Sequence, residues 1–208
     1  MKIIWLGHAS YKIEEEGISV ILDPYRNLSV PGLKFPKGIE ANYVFCSHDH
    51  YDHDAKNLVK IIPTDKKLDY KLIEVPHDDV GGKKRGMCYV TIINLDGRSL
   101  AHLGDLGDIR VIDKIKELQN IDVILWPING FYTIGAKEAK DVLEILKPKV
   151  LIPMHYEMKE LRVGYPDGNQ IEIFKNLVKD YRLVDDYQIE VNDTMLDKNV
   201  LIFEKFYK

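Results

Sequence analysis

Apolar residues in the first half of the chain either alternate with polar ones or run in short blocks, and both patterns are those of strands. Lys2–Leu6, Tyr11–Glu14 and Ile18–Leu22 are three such blocks, separated by Gly7-His8-Ala9-Ser10 and by an acidic turn ending at Gly17. They predict a β-meander. From Asp23 to Glu40 the chain collects Pro24, Pro31, Gly32, Pro36 and Gly38, which marks an irregular surface loop. Tyr43–Cys46 then reads as a strand running directly into Ser47-His48. Ala55–Ile62 has helical spacing and stops before Pro63, and Tyr70–Val75 returns to strand character. Met87–Leu95 and Arg98–Leu103 flank Asp96-Gly97, a two-residue hairpin signal, and the second arm delivers Gly104-Asp105.

The second half alternates in period. Ile109–Leu118, Ala136–Leu146 and Ile171–Lys179 carry helical spacing, whereas Asp122–Trp126, Val150–Ile152 and Val200–Phe206 read as strands. A loop bearing Met154-His155-Tyr156 follows the second of these strands. Strands with interspersed helices predict an α/β fold in which sheets and helices stack in layers. Residues 1–208 show no repeat, low-complexity tract or strong boundary, so one domain is expected.

Composition narrows the classes of function. A net charge of −4, with Lys and Arg dispersed, lacks the dense basic face of a nucleic-acid binder. The apolar run Ile3-Ile4-Trp5-Leu6 is far shorter than a signal-peptide core, and no apolar stretch reaches membrane-spanning length, so a cytoplasmic protein is expected. Cys46 and Cys88 lie in apolar strand-like segments without CxxC spacing and read as buried free thiols.

The chemistry concentrates in Ser47-His48-Asp49-His50-Tyr51-Asp52-His53-Asp54, which places three of the seven histidines in eight residues just after a strand. In an extended stretch His48 and His50 project the same way and suit one ion, and Asp52 and His53 follow once the chain turns. Mixed imidazole and carboxylate donors without thiolate keep an ion a good Lewis acid, unlike a closed structural zinc site. Four residues are too few for two ions, so a pair depends on partners elsewhere. His77, Asp105 and His155 each lie just beyond a predicted strand, where sites of layered α/β folds gather.

The ordered set Gly7-His8-Ala9-Ser10, Leu22-Asp23-Pro24, Ser47-His48-x-His50-x-Asp52-His53, His77, Gly104-Asp105 and Pro153-Met154-His155-Tyr156 resembles the metallo-β-lactamase superfamily over essentially the whole chain. Trp126-Pro127-Ile128-Asn129-Gly130-Phe131-Tyr132-Thr133, with Glu138-Ala139 and Lys147-Pro148-Lys149, is similar to its small metal-dependent hydrolases related to L-ascorbate-6-phosphate lactonase. A more distant likeness is to N-acyl phosphatidylethanolamine phospholipase D. The resemblance implies a four-layer αβ/βα sandwich with the metals at one edge of the sheets. It also implies two divalent ions, zinc first with manganese or iron as alternatives. In that assignment His48, His50 and His77 hold one ion, Asp52, His53 and His155 hold the other, and Asp105 bridges them.

The function this implies is hydrolysis of a small ester, lactone or phosphodiester by a hydroxide shared between the ions, with Asp52 or Asp105 orienting it. His8 and Asp23 match the pattern outside the ligand positions; Asp23 is expected to orient a ligand histidine, and His8 to line the pocket or cap its turn. Lys83, Lys84 and Arg85 either meet an anionic group of the substrate or form a solvated face. His102, an odd number of residues before Asp105, is expected to point to the opposite sheet face and lie outside the site. Tyr132 and Tyr156 are oxyanion donors or packing residues. Two departures stand out: Asn129 occupies a position where many relatives have glycine, and the short His53–His77 interval leaves no room for an inserted lid or nuclease domain.

The expected partner is a small molecule, with no nucleic-acid or membrane signature, and Phe131-Tyr132 would suit a homo-oligomer contact. Two other readings use the same ligand set: an iron-dependent oxidoreductase and a metal-stabilised scaffold without catalysis.

Overall fold

The computed structural model describes residues 1–114, 116–157, 169–192 and 200–208. Five strands open the chain: β1 (Lys2–Gly7), β2 (Ser10–Glu15), β3 (Ile18–Leu22), the two-residue β4 (Glu40–Ala41) and β5 (Tyr43–Phe45). Next come β6 (Lys60–Ile61), β7 (Asp69–Pro76), β8 (Met87–Leu95), β9 (Arg98–His102) and β10 (Val123–Pro127). Helix α1 (Ala136–Leu146), β11 (Val150–Met154), α2 (Gln170–Val178), β12 (Arg182–Val184), β13 (Gln188–Glu190) and β14 (Leu201–Phe203) complete it.

Two five-stranded sheets carry the architecture, one ordered β13-β1-β2-β3-β5 and the other β11-β10-β9-β8-β7. In the first sheet β1 and β3 run the same way, because each pairs antiparallel with β2, and β5 joins β3 in parallel. In the second, β7 and β9 each pair antiparallel with β8, and β10 and β11 continue in parallel from β9. Seven strands therefore end, at their C-termini, on one edge of the layered sheets. A parallel bridge from Leu151 to Val200 brings the β12–β14 pair alongside β11.

The main core lies between the sheets and beneath the helices, and includes Trp5, Tyr11 and Val20 from the first sheet, Val90, Ile93 and Trp126 from the second, and Phe174 of α2. Helix α1 turns Ala136, Ala139, Val142 and Leu146 inward, at helical spacing, and packs beside α2. The far face of the first sheet buries Ile4, Leu6 and Ile21 against Tyr25, Val30, Leu33 and Phe35 of the proline-rich loop. The arrangement is the four-layer αβ/βα sandwich, with loop rather than helix filling much of one outer layer among the described residues.

The Asp96-Gly97 hairpin forms as expected: Leu95 pairs with Arg98, and both turn residues have positive φ, the geometry of a type I′ turn. Two helical expectations need correction. Ala55–Ile62 yields only a 3₁₀ turn at Lys56–Leu58 before β6 pairs with β4, because Val59, Ile61 and Ile62 are β-branched and Pro63 holds its predecessor extended. Ile109–Leu118 is two 3₁₀ segments, Ile109–Lys114 and Lys116–Leu118, rather than an α-helix; the branched Ile109, Val111 and Ile112 disfavour a regular one. The terminal strand is three residues long rather than seven, and β11 reaches Met154, so His155 follows a strand directly. Cys46 and Cys88 are free, and burial raises both thiols, Cys46 to about 12. No helix among the described residues is long and apolar enough to cross a membrane.

Candidate metal centre

The shared strand edge assembles the site. β1 ends just before His8, β3 just before Asp23, β5 runs towards Ser47, β7 ends before His77, β9 before Asp105, and β11 before His155. The two sheets touch here: the Tyr89 N–H donates to the Ser47 carbonyl at 2.8 Å.

Asp23, buried and with φ of 45°, is the organising anion. Its carboxylate accepts from the Ser47 N–H and Ser47 hydroxyl, each at 2.6 Å, and from His53 Nδ1 at 2.7 Å. Because the Ser47 hydroxyl proton points to Asp23, Ser47 Oγ is left to accept from His48 Nδ1 at 2.9 Å. Both imidazoles are thereby oriented with Nε2 facing inward. The chain turns through His53 N–H to His50 carbonyl at 2.9 Å, and His48 Nε2 and His50 Nδ1 come 2.9 Å apart.

All seven predicted positions meet around Asp105. Asp105 Oδ2 lies 3.4 Å from His77 Nε2, 3.3 Å from His155 Nε2 and 3.9 Å from His48 Nε2, while Oδ1 lies 3.3 Å from His53 Nε2. One carboxylate thus touches histidines of both expected triads. Donor atoms within 4.8 Å of one another fall into three overlapping groups: His48, His50 and His77; His48, His53 and Asp105; and His8, Asp52, His53 and His155.

The last group includes His8, which the sequence reading kept outside the ligand positions. His8 takes φ of 55°, with its carbonyl accepting from the Trp5 indole at 3.0 Å and from the His155 N–H at 3.4 Å. This left-handed turn aims a buried imidazole at Asp52 Oδ2, 3.3 Å away, with its ring 3.9 Å from that of His155. The sequence signal was a non-glycine residue inside a tight turn, which has no partner to suggest it until the fold is known.

Burial, then neighbouring imidazole charge, lowers His8 to about 4 and His48 to about 3 and also lowers His77, so these rings are neutral and able to ligate. Burial opposes charge at His53 as well, but Asp105, Asp23 and Asp52 outweigh it and raise this group well above its ordinary value. His155 and His53 hold Asp105, and His53 and His8 hold Asp52, far below the carboxylate range despite burial.

The donor set fits divalent cations. His8 Nε2, His53 Nε2, His155 Nε2 and Asp105 Oδ1 are buried with no hydrogen-bond partner, an expensive arrangement unless a cation completes it. Imidazole with carboxylate and no thiolate suits zinc, manganese or iron.

His102 corrects one expectation. It faces inward, not to the opposite sheet face, because β9 ends at this residue and the turn through Gly104, φ 53°, breaks the alternation. Its Nε2 donates to the Ala9 carbonyl at 2.8 Å and its Nδ1 accepts from Gly104 N–H at 3.1 Å, so it buttresses the turns bearing His8 and Asp105. Tyr156 is buried and donates to the Phe203 carbonyl at 3.0 Å, which makes it a packing residue.

A cleft of about 720 Å³ opens over the cluster, with His50, Asp52, His77, Asp105 and His155 in its lining. Val30, Pro31 and Tyr51 form one wall and Arg85, Phe131 and Tyr132 the other. Asn129 shapes the second wall: its Oδ1 accepts from the N–H groups of Phe131 and Tyr132 at 3.1 and 2.8 Å. Lys84 also lines the cleft, whereas Lys83 is exposed and outside the lining.

Comparison with known proteins gives the family and the fold. The profile of a family described as the β-lactamase superfamily domain matches residues 2–155. A UPF0173 metal-dependent hydrolase of Pyrobaculum islandicum is 28% identical, over 94% of this chain and 99% of its own. One from Archaeoglobus fulgidus is 31% identical over 75% of this chain and 83% of its own. Among solved structures, a Thermotoga maritima protein described as a Zn-dependent hydrolase of the metallo-β-lactamase superfamily is 31% identical, covers 97% of each chain and superposes with a TM-score of 0.74.

Proposed function

The chain belongs to the β-lactamase superfamily, and from that premise we propose that it is a two-metal hydrolase acting on a small ester, lactone or phosphodiester. The observation that carries this reading is the Asp105 carboxylate, whose Oδ2 lies within 3.3–3.4 Å of both His77 and His155 and whose Oδ1 lies 3.3 Å from His53, so that it meets histidines of both expected triads. A bridging position is the simplest use of such a residue.

His48, His50 and His77 would hold one ion, and Asp52, His53 and His155 the other, with Asp105 shared. Divalent ions bound there would supply Lewis acidity and lower the pKa of a water from 15.7 towards about 7. The chain's own contribution is positional. Asp23 and Ser47 orient His53 and His48, so their Nε2 atoms are aimed before any ligand arrives. Asp52, half-buried in the cleft lining, is held ionised by His53 and His8 and would orient the attacking water, with its Oδ2 3.3 Å from His8 Nε2 and 3.6 Å from His53 Nε2. The cleft walls exclude bulk water from the reacting bond and admit a small substrate. No serine, cysteine or lysine nucleophile is needed.

The narrower likeness to the L-ascorbate-6-phosphate lactonase branch supports a small soluble substrate, as does the size of the cleft. The test compares metal-loaded parent protein with a His50→Ala, Asp105→Ala variant on 4-nitrophenyl acetate, a γ-lactone and bis(4-nitrophenyl) phosphate. The parent is expected to turn over at least one of these, and the variant to lose more than about 100-fold. Equal hydrolysis by the two proteins would dismiss the proposal.

A further inference from the structure

Arg85 stands on the cleft wall, fixed at both ends. Its N–H donates to Asp78 Oδ2 at 2.8 Å, and the same carboxylate accepts from Val80, Gly82 and Lys84, so the loop after His77 is wound around one buried anion. Those four backbone donors lower Asp78 to about 2 although burial opposes it, so the clamp is ionised throughout the neutral range. At the other end the guanidinium carbon lies 4.9 Å from the ring centre of Tyr132 and 5.8 Å from that of Phe131. The backbone that carries these two rings is held by Asn129.

Two other surface arginines are paired with carboxylates. Arg26 makes a two-pronged contact with Asp54 at 2.9 and 2.6 Å, and Arg110 a similar one with Asp108. Arg85 has no carboxylate partner among the described residues, yet it is half-buried and faces the cleft shared with His77 and Asp105. With a net charge of −4 the molecule has no general attraction for anions, so this cation is a local feature.

We propose that Arg85 receives an anionic group of the substrate, a carboxylate or a phosphate, at the end remote from the bond that is broken. The chemistry suits the residue: a stacked guanidinium keeps its planar N–H edges free for a two-pronged contact. Aromatic stacking also removes most of the side-chain entropy that an exposed cation would lose on binding. The inference rests on the hydrolytic reading for which end of the substrate reacts, but the anion contact itself is independent of turnover.

The test uses metal-loaded protein and ligands that are not hydrolysed. Isothermal titration compares α,ω-dicarboxylates of four to eight carbons with monocarboxylates of equal length, so that one end meets the metals and the other either reaches Arg85 or does not. A matching set of ω-phosphonocarboxylates separates phosphate from carboxylate preference. The parent is expected to favour the doubly charged ligand by about tenfold at the best length, the Arg85→Met variant to bring that ratio to about one, and Arg85→Lys to keep part of it. A parent without preference at any length or head group, or a preference that survives in Arg85→Met, overturns the proposal. The same preparations are assayed on 4-nitrophenyl acetate, the γ-lactone and bis(4-nitrophenyl) phosphate. An Arg85-dependent preference in protein that hydrolyses nothing supports the anion contact and rejects the hydrolytic reading instead.

Discussion

Asp23 shows how much of this site depends on residues that touch no metal. Through Ser47 and directly, it orients two of the imidazoles, and it does so from a buried, left-handed position that few residues adopt. Asp23→Asn keeps the shape but removes the charge and one acceptor. Zinc affinity measured against a chromophoric chelator should fall by about 10–100-fold with little change in circular dichroism; unchanged affinity would contradict the positioning role.

The histidines also predict a pH dependence. A group whose value is lowered on folding stabilises the fold above its ordinary value and loses that contribution as pH falls towards the lowered one. His8, lowered from 6.5 to about 4, and His48, lowered to about 3, therefore make chelator-treated protein less stable between pH 6.5 and 4. His53 is raised and acts in the opposite sense, with a contribution present below 6.5 and lost at higher pH. Lowered groups outnumber it. Melting temperature should drop over this window, and His8→Gln should flatten the drop; a parallel curve for the variant would contradict the burial of His8 as a neutral ring.

At the scale of elements, two glycines show how closely strand ends approach beneath the metals. A Cβ on Gly107 would lie 2.4 Å from the Asp78 nitrogen and the His77 carbonyl carbon, and one on Gly104 2.6 Å from Ser47 Cβ. The neighbours of Gly107 are backbone and cannot swing aside. Gly107→Ala should cost about 1–3 kcal/mol in chemical denaturation and displace His77; a loss within about 0.5 kcal/mol would show that the loop yields.

Much of this level was legible in the sequence. Strong period-2 blocks, the Asp96-Gly97 turn and the amphipathic α1 were read within a residue or two, because local propensity and burial agree there. The failures have one physical origin. Ala55–Ile62 and Ile109–Leu118 carry helical spacing, but their branched residues resist a regular helix. The seven ligand-type residues were legible because strand ends can be counted, whereas His8 and the inward turn of His102 depend on backbone twists that spacing does not encode. Arg85 could be noticed in sequence, but its isolation from carboxylates exists only in the folded loop.

For the whole molecule, the sheet directions explain why the chemistry lies on one edge. Strands β1, β3 and β5 of one sheet and β7, β9, β10 and β11 of the other end on the same side, so the segments after β1, β5, β7, β9 and β11 supply donors to a single volume and Asp23 after β3 supports them. The layers beneath are apolar and well buried, which lets the protein tolerate a cluster of close like-charged and unpaired groups that the ions would complete. Folding and metal binding are therefore linked, and loading should raise the melting temperature whether or not catalysis occurs. Stability cannot separate the hydrolase from a metal-stabilised scaffold, but turnover as a function of occupancy can. The deciding measurement is a metal titration of chelator-stripped protein in which bound ions and hydrolysis of a responsive ester or phosphodiester are followed together. Two ions per chain, with turnover absent from stripped protein and rising as the second ion binds, is the predicted result; full turnover without metal, or saturation of both signals at a single ion, would contradict it.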